Sequence, residues 1–240
     1  MKRRVDVFDL GRLPYSKAWA LQKETQKRLV DQKRMPHGNA NKNNFIQDQF
    51  FFTEHPHVYT LGKSGNSSNL LKKISELNTI NAEFFETDRG GDITYHGPGQ
   101  IVGYPIIDLE EYFTDIHRYL RNLEETIIQT CLEFDIKGSR IKGLTGVWVN
   151  DEKICAMGIR CSRWVTMHGF ALNVNTDLTY FDHIVPCGIK GKNVTSLEKI
   201  LGEKIDPIIV KDIILEKFSE IFDVSIKKMK ESPELDKELL

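Results

Sequence analysis

What the chain lacks narrows the possibilities first. Its 240 residues include four cysteines, Cys131, Cys155, Cys161 and Cys187, and no two of them form a C-x-x-C pair. A chain of this length buries a core without disulfides, so the four read as free thiols in a reducing compartment. Net charge is lacking too: 33 basic against 34 acidic residues leave −1, and the pI is about 6.7. That balance argues against a broad nucleic-acid or anionic-membrane surface. No stretch approaches the roughly 18 apolar residues of a membrane span. The opening MKRRVDVFDLGRLPY has basic residues with no apolar region behind them, so no signal peptide is expected. Repeats and an interdomain linker are missing as well. The expectation is a soluble, cytoplasmic protein with one domain over residues 1–240, a core at about 5–224 and a charged tail at 225–240, of which KKMKESPELDKELL (227–240) is expected to fray.

What is present reads as α+β. Residues 15–33 place Ala18, Trp19, Gln22, Leu29 and Val30 on one helical stripe, and residues 114–135 repeat Leu120, Leu123, Ile127 and Cys131 at the same period. A third helix is expected over 206–222, with Asp206 as N-cap and Pro207 at the first helical position. FIQDQFFFTEH, NAEFFETD, IVGYPIIDL and three segments between Gly146 and Val174 read as strands, with Asn150 and Asp151 turning a hairpin. Residues 34–44 form a long polar loop. Strands outnumber helices and do not alternate with them, which predicts one mixed sheet flanked by helices.

Two apparent motifs fail. GKS at 62–64 ends like a phosphate loop, but His57 stands where the first glycine belongs. His55 and His57 would share one side of a strand, yet no carboxylate or thiol at matching spacing completes a metal set, so no metal is expected. Residues 89–100, RGGDITYHGPGQ, pack four glycines among Arg89, Thr94, Tyr95, His96 and Gln100. A turn needing positive φ explains the glycines, whereas the polar side chains point to a site. Cys187 lies between Pro186 and Gly188 on a bend; it is either a thiol open to substrate or a small packing residue. Cys131 and Cys155 read as core, and Cys161 is undecided. Lys153 begins a strand after the hairpin turn and reads alone as a solvated lysine. Held against a thiol in a dry pocket, it would instead lower the thiol pKa from ~8.5.

RGGDITYHGPGQ resembles the signature of the lipoyl(octanoyl) transferases, enzymes that begin protein lipoylation. EHPHVYTLG (54–62), GVWVNDEKICAMGIR (146–160), MHGFALNVNTDL (167–178) and IVPCGI (184–189) are similar to further blocks of that family, in the family's order. The resemblance covers roughly residues 50–200. It implies a single domain of the biotin/lipoate protein ligase type, and transfer of an octanoyl group from octanoyl-acyl carrier protein to a lysine of a lipoyl domain. Acceptors would be 2-oxoacid dehydrogenase subunits and glycine-cleavage H protein. No cofactor is implied, because thioester to amide runs downhill, and the working state would be a monomer.

By the same resemblance Cys187 matches the acyl-accepting cysteine and Lys153 the catalytic lysine. Arg89, Gly90, Gly91, Thr94, Tyr95, His96, Gly97, Gly99 and Gln100 match substrate-binding walls, as do Gly158, His168, Gly169 and Ala171. Tyr95, Tyr104 and Phe170 are expected to line the acyl tunnel, and backbone N–H groups of the glycine segment or Gly188 to hold the oxyanion. The loop at 34–44 is longer than the family pattern. Lys190 and Lys192 beside the cysteine read either as bait for an acidic carrier or as a solvated loop. Two other classes remain: an ATP-dependent lipoate or biotin ligase, which needs no nucleophilic cysteine, and an inactive module that only docks lipoyl domains.

Overall fold

A computed structural model describes residues 2–34, 46–185 and 193–230. Most of the 34–44 loop, together with Cys187, Lys190 and Lys192, therefore lies outside the described residues. A seven-stranded sheet forms the middle layer in the order β10-β1-β2-β6-β9-β8-β7. Its strands are β1 (Arg3–Arg12), β2 (Asp48–Glu54), β6 (Gln100–Ile106), β7 (Val147–Val149), β8 (Glu152–Ser162), β9 (Val165–Asn173) and β10 (Val224–Lys228). β1 runs parallel to both β10 and β2, and every other pairing in this sheet is antiparallel. A smaller sheet, β4-β3-β5, sets β3 (Val58–Leu61) parallel to β4 (Glu83–Glu86) and antiparallel to β5 (Thr94–His96). The sequence predicted one sheet. The second arises because Thr94–His96, inside the glycine-rich segment, pairs with β3.

Helices cover both faces of the large sheet. α1 (Tyr15–Arg34) packs Ala18, Leu21 and Leu29 against Phe51, Val102 and Ala171. α2 (Ile116–Leu132) and α4 (Pro207–Phe222) pack Leu123, Ile127, Ile214 and Phe218 against Phe50, Phe52 and Leu172 on the other face. Alternate residues of β2 thus enter opposite cores, which is why the central strands read as unbroken apolar runs rather than alternating ones. The predicted cap is in place: Asp206 accepts from the Ile208 N–H with Pro207 next to it; α2 has a cap that the sequence reading did not name, Asp115 accepting from Arg118 N–H. A short α3 (Leu197–Leu201), capped by Ser196, was not expected. Nor does the tail fray from residue 227, since Lys227 and Lys228 still pair with Asp6 and Val7 at the end of an edge strand. No helix among the described residues is long and apolar enough to cross a membrane.

Candidate active site

The glycine-rich segment, α1, and the face of the large sheet formed by β6, β9 and β8 enclose a cavity of about 380 Å³. Its floor follows from strand register. Gln100 lies opposite Asn173 and Val102 opposite Ala171, while on the far side of β9 Ala156 pairs with Ala171 and Gly158 with Gly169. Small side chains at the centre of this row leave the empty volume; Met157, Phe170 and Leu120 add apolar wall.

Lys153 stands at one end. The sequence allowed a solvated turn lysine, but the residue is only 6% exposed and lines the cavity. Its Nζ lies 4.6 Å from the centre of the Trp148 ring. Its backbone is gripped on both sides: Lys153 N–H donates to Asn193 O at 2.9 Å, and Thr195 N–H donates to Lys153 O at 3.0 Å. Asn193 and Val185, whose N–H donates to Asn69 O, flank the segment that carries Cys187.

A second polar group lies on β9, where His168 pairs with Ile159 of β8. His168, 2% exposed, donates Nε2–H to Asp88 Oδ1 at 2.8 Å, and Arg160 holds the other Asp88 oxygen. Burial would raise the Asp88 carboxyl, but hydrogen bonds and charge from His168 and Arg160 outweigh it and hold it at about 2. Burial in turn lowers His168 against the opposing pull of Asp88, so the ring is biased toward neutral. His168 also has φ +62, a backbone that an L-residue resists. Gln22 Oε1, on α1, accepts the His168 N–H at 2.9 Å and fixes it.

Between these ends runs a chain of buried polar side chains. Arg89 donates to Thr60 Oγ1 and to Thr60 O. Thr60 bonds His96 Nε2 at 3.3 Å, and His96 Nδ1 donates to Gln100 Oε1 at 2.9 Å. Gln100 Nε2 donates to Asn173 Oδ1 at 2.9 Å, and Asn173 Nδ2 to Thr195 O at 3.0 Å. Because an amide oxygen only accepts, His96 carries its proton on Nδ1. Burial first, and the neighbouring His55 second, push its pKa well below the ordinary value.

Of the expected wall residues, Arg89, Gly90, Gly91, Thr94, His96, Gln100, Gly158, His168, Gly169 and Ala171 line the cavity, as do Tyr104 and Phe170. Tyr95, Gly97 and Gly99 do not. Tyr95 points the other way, shares a hydrogen bond with His57 Nδ1 at 2.7 Å and stacks on Tyr180. Gly97 makes room for that Tyr95 hydroxyl, and Gly99 approaches Asn175 O. Gly90 and Gly158 serve a close approach of two chain segments. A Cβ on Gly158 would stand 2.6 Å from Gly90 O, while Gly90 N–H donates to Ile159 O. That N–H, with those of Gly99 and Gln100, already has an acceptor, so none of the three is a free oxyanion donor.

The rejected motifs also find structural places. Lys63 and Ser64 donate their N–H groups to Arg89 O and Gly91 O, bracing the glycine segment. His55 and His57 sit in the connection between β2 and β3 rather than on a strand, and have separate partners. Among the described residues no group of three or more His, Cys, Asp or Glu is placed to hold a metal. Sequence reasoning missed Asp88, Arg160, Tyr15 and Gln22. Asp88 adjoins the signature; the i, i+7 spacing of Tyr15 and Gln22 marks them for one face of α1.

Comparison with known proteins adds what geometry alone does not. The sequence profile of the Lipoyl protein ligase A/B catalytic domain matches residues 14–219. An octanoyltransferase of Flavobacterium psychrophilum is 53% identical over 236 residues, covering 94% of this chain and 100% of that one. A bi-partite lipoate protein ligase from Thermoplasma acidophilum, solved in a study with its E2 lipoyl domain, superposes with TM-score 0.66 at 14% identity, covering 96% of this chain and 88% of that one. A lipoate-protein ligase A bound with ATP superposes with TM-score 0.66 at 12% identity, over 96% and 90% of the two chains. At such identities the two structures speak for the fold alone.

Proposed function

The chain belongs to the Lipoyl protein ligase A/B catalytic-domain family, and on that premise we propose that it moves an octanoyl group from octanoyl-acyl carrier protein to a lysine of a lipoyl domain through a thioester on Cys187. The enzyme is an acyltransferase, as its octanoyltransferase relative is named.

The observation that carries the mechanism is the burial of Lys153 in the cavity wall, with its backbone tied to Asn193. In the first half-reaction Lys153 takes the Cys187 thiol proton, and the sulfur attacks the thioester carbonyl. Collapse of the tetrahedral adduct breaks the bond to the carrier sulfur, which leaves with that proton. In the second, the acceptor amine attacks the Cys187 thioester, its proton passes to Lys153, and the Cys187 sulfur leaves. Thioester is exchanged for amide, and no nucleotide is consumed.

Elimination supports the choice of thiol. Burial pushes Cys131 up to about 12, Cys155 well above its ordinary value, and Cys161 upward as well, so none of these three is an activated thiolate. The apolar floor of Val102, Ala156 and Ala171, with Met157 and Phe170 in the wall, suits a saturated chain, each buried methylene contributing about 0.8 kcal/mol.

Intact-mass measurement after incubation with octanoyl-acyl carrier protein, without ATP, is the test. An octanoyl adduct that hydroxylamine removes is expected in wild type and absent in Cys187→Ala. Equal acylation of that variant would refute the mechanism. Transfer only when ATP is added would support a ligase instead, and no transfer under either condition a docking module.

A further inference from the structure

Resting on that cysteine–lysine reading, we propose that Asn173 is a positioning residue for Lys153, acting through the carbonyl of Thr195. Two parallel-bridge hydrogen bonds fix the Lys153 backbone to Asn193 and Thr195. These lie just past the segment bearing Cys187, so whatever holds residues 193–195 sets how Lys153 faces that segment. Two side chains reach these residues: exposed Lys199, whose Nζ donates to Val194 O at a long 3.5 Å, and buried Asn173, whose Nδ2 donates to Thr195 O at 3.0 Å while its Oδ1 accepts from Gln100.

Asn173 is 3% exposed and Gln100 2%, and both line the cavity. The bond roles run one way along the chain. His96 Nδ1–H satisfies Gln100 Oε1, which turns Gln100 Nε2 toward Asn173 and leaves Asn173 only its Nδ2–H to give to Thr195. The glycine signature and the lysine clamp are thereby one hydrogen-bonded unit, although most of the sequence between Gln100 and Asn173 belongs to other elements. Asn173 touches no reacting atom. It is a positioning residue in the sense that a displacement of Lys153 on the scale of 1 Å costs rate.

Asn173→Asp keeps the shape and the acceptor for Gln100 but removes the donor to Thr195 O. Asn175→Ala is the control: Asn175 spans Ile205 O and Ile205 N in the same manner, away from Lys153. Three readouts are compared: kcat, KM for octanoyl-acyl carrier protein, and the pH midpoint of Cys187 alkylation by iodoacetamide, followed on the Cys187 peptide.

For Asn173→Asp, kcat is expected to fall roughly tenfold to a hundredfold with KM within about threefold. The alkylation midpoint should rise toward the ~8.5 of an unassisted thiol. It should rise likewise in Asn173→Ser, which removes the same donor without adding a carboxylate; a rise confined to Asn173→Asp is the new charge acting and overturns the proposal. For Asn175→Ala, the melting temperature should fall while the midpoint stays at the wild-type value. An Asn173→Asp enzyme with wild-type kcat and midpoint overturns the proposal, as does a loss that Asn175→Ala reproduces at equal destabilisation. A wild-type midpoint already near ~8.5 would refute the cysteine–lysine reading itself, and this proposal with it.

Discussion

Lowering the pH from 7.5 to 5 should cost the fold about 2 kcal/mol through His55 alone. The ring is fully buried, with both nitrogens committed in one tautomer: Nδ1–H donates to Leu13 O at 2.7 Å, and Nε2 accepts from the Tyr104 hydroxyl at 2.8 Å. A second proton would have to enter on Nε2, against that hydroxyl and without water. Burial, the largest influence, lowers the pKa from 6.5 to about 4, against the raising effect of the Leu13 hydrogen bond. As pH falls, the unfolded chain therefore takes the proton first. The contribution is fully present above 6.5, is lost progressively toward 4, and amounts to about 3 kcal/mol over the whole window. His96 and His168 are lowered in the same direction and steepen the fall. Urea unfolding at intervals between pH 7.5 and 4.5 measures it. His55→Asn keeps a donor for Leu13 O but nothing to titrate; it should be less stable at pH 7.5 by about 1–3 kcal/mol, with a slope shallower by one proton. Parallel curves for wild type and His55→Asn would refute the reasoning.

Other substitutions separate the roles of the wall residues. Lys153→Ala should remove most octanoyl transfer while circular dichroism shows the fold retained; near-normal turnover would return Lys153 to a packing role. Gly158→Ala should cost roughly 1–3 kcal/mol by overpacking and depress activity, since its Cβ would stand 2.6 Å from Gly90 O. Gly158 is not at positive φ, so thermal melts of this variant read the clash without backbone strain. Gly103→Ala would place a Cβ against the Phe170 ring, so the cavity should narrow. Each methylene excluded shifts the preference between acyl chains by about fourfold, measured as a ratio of kcat/KM values. For Asp88→Asn, a destabilisation of roughly 1 kcal/mol at pH 7, reduced by solvent screening, should close as pH falls from 3.8 toward 2.

Elements with strong periodicity or caps were legible in the sequence, and those made by long-range pairing were not. α1 and α4 fall within a residue of expectation because Ala18 to Leu29 mark a face and Asp206-Pro207 mark a start. β5 was invisible: three residues between glycines become a strand only because β3 is there to pair with them. Within the site, cavity-lining was legible for Arg89, His96 and His168 through the motif. The orientation of Tyr95 was not, because it depends on an aromatic cluster with Tyr59, Tyr180 and Phe181 assembled from distant segments. By resemblance the glycines match substrate-binding walls. At Gly97, Gly99 and Gly158 they are room for a tyrosine hydroxyl or for another stretch of backbone.

The parallel pairing of β1 with β10 has a consequence for the order of assembly. Arg3 lies opposite Val224 and Val7 opposite Lys228, so β1 stays half-paired until every element between it and β10 has been synthesised. Its other partner, β2, follows a whole helix later. Pairing at such separation carries a loop-closure cost before it brings any contact, and slows folding. On the ribosome the antiparallel β2-β6-β9-β8 block is free to form first, and the sheet gains its β10 edge after it.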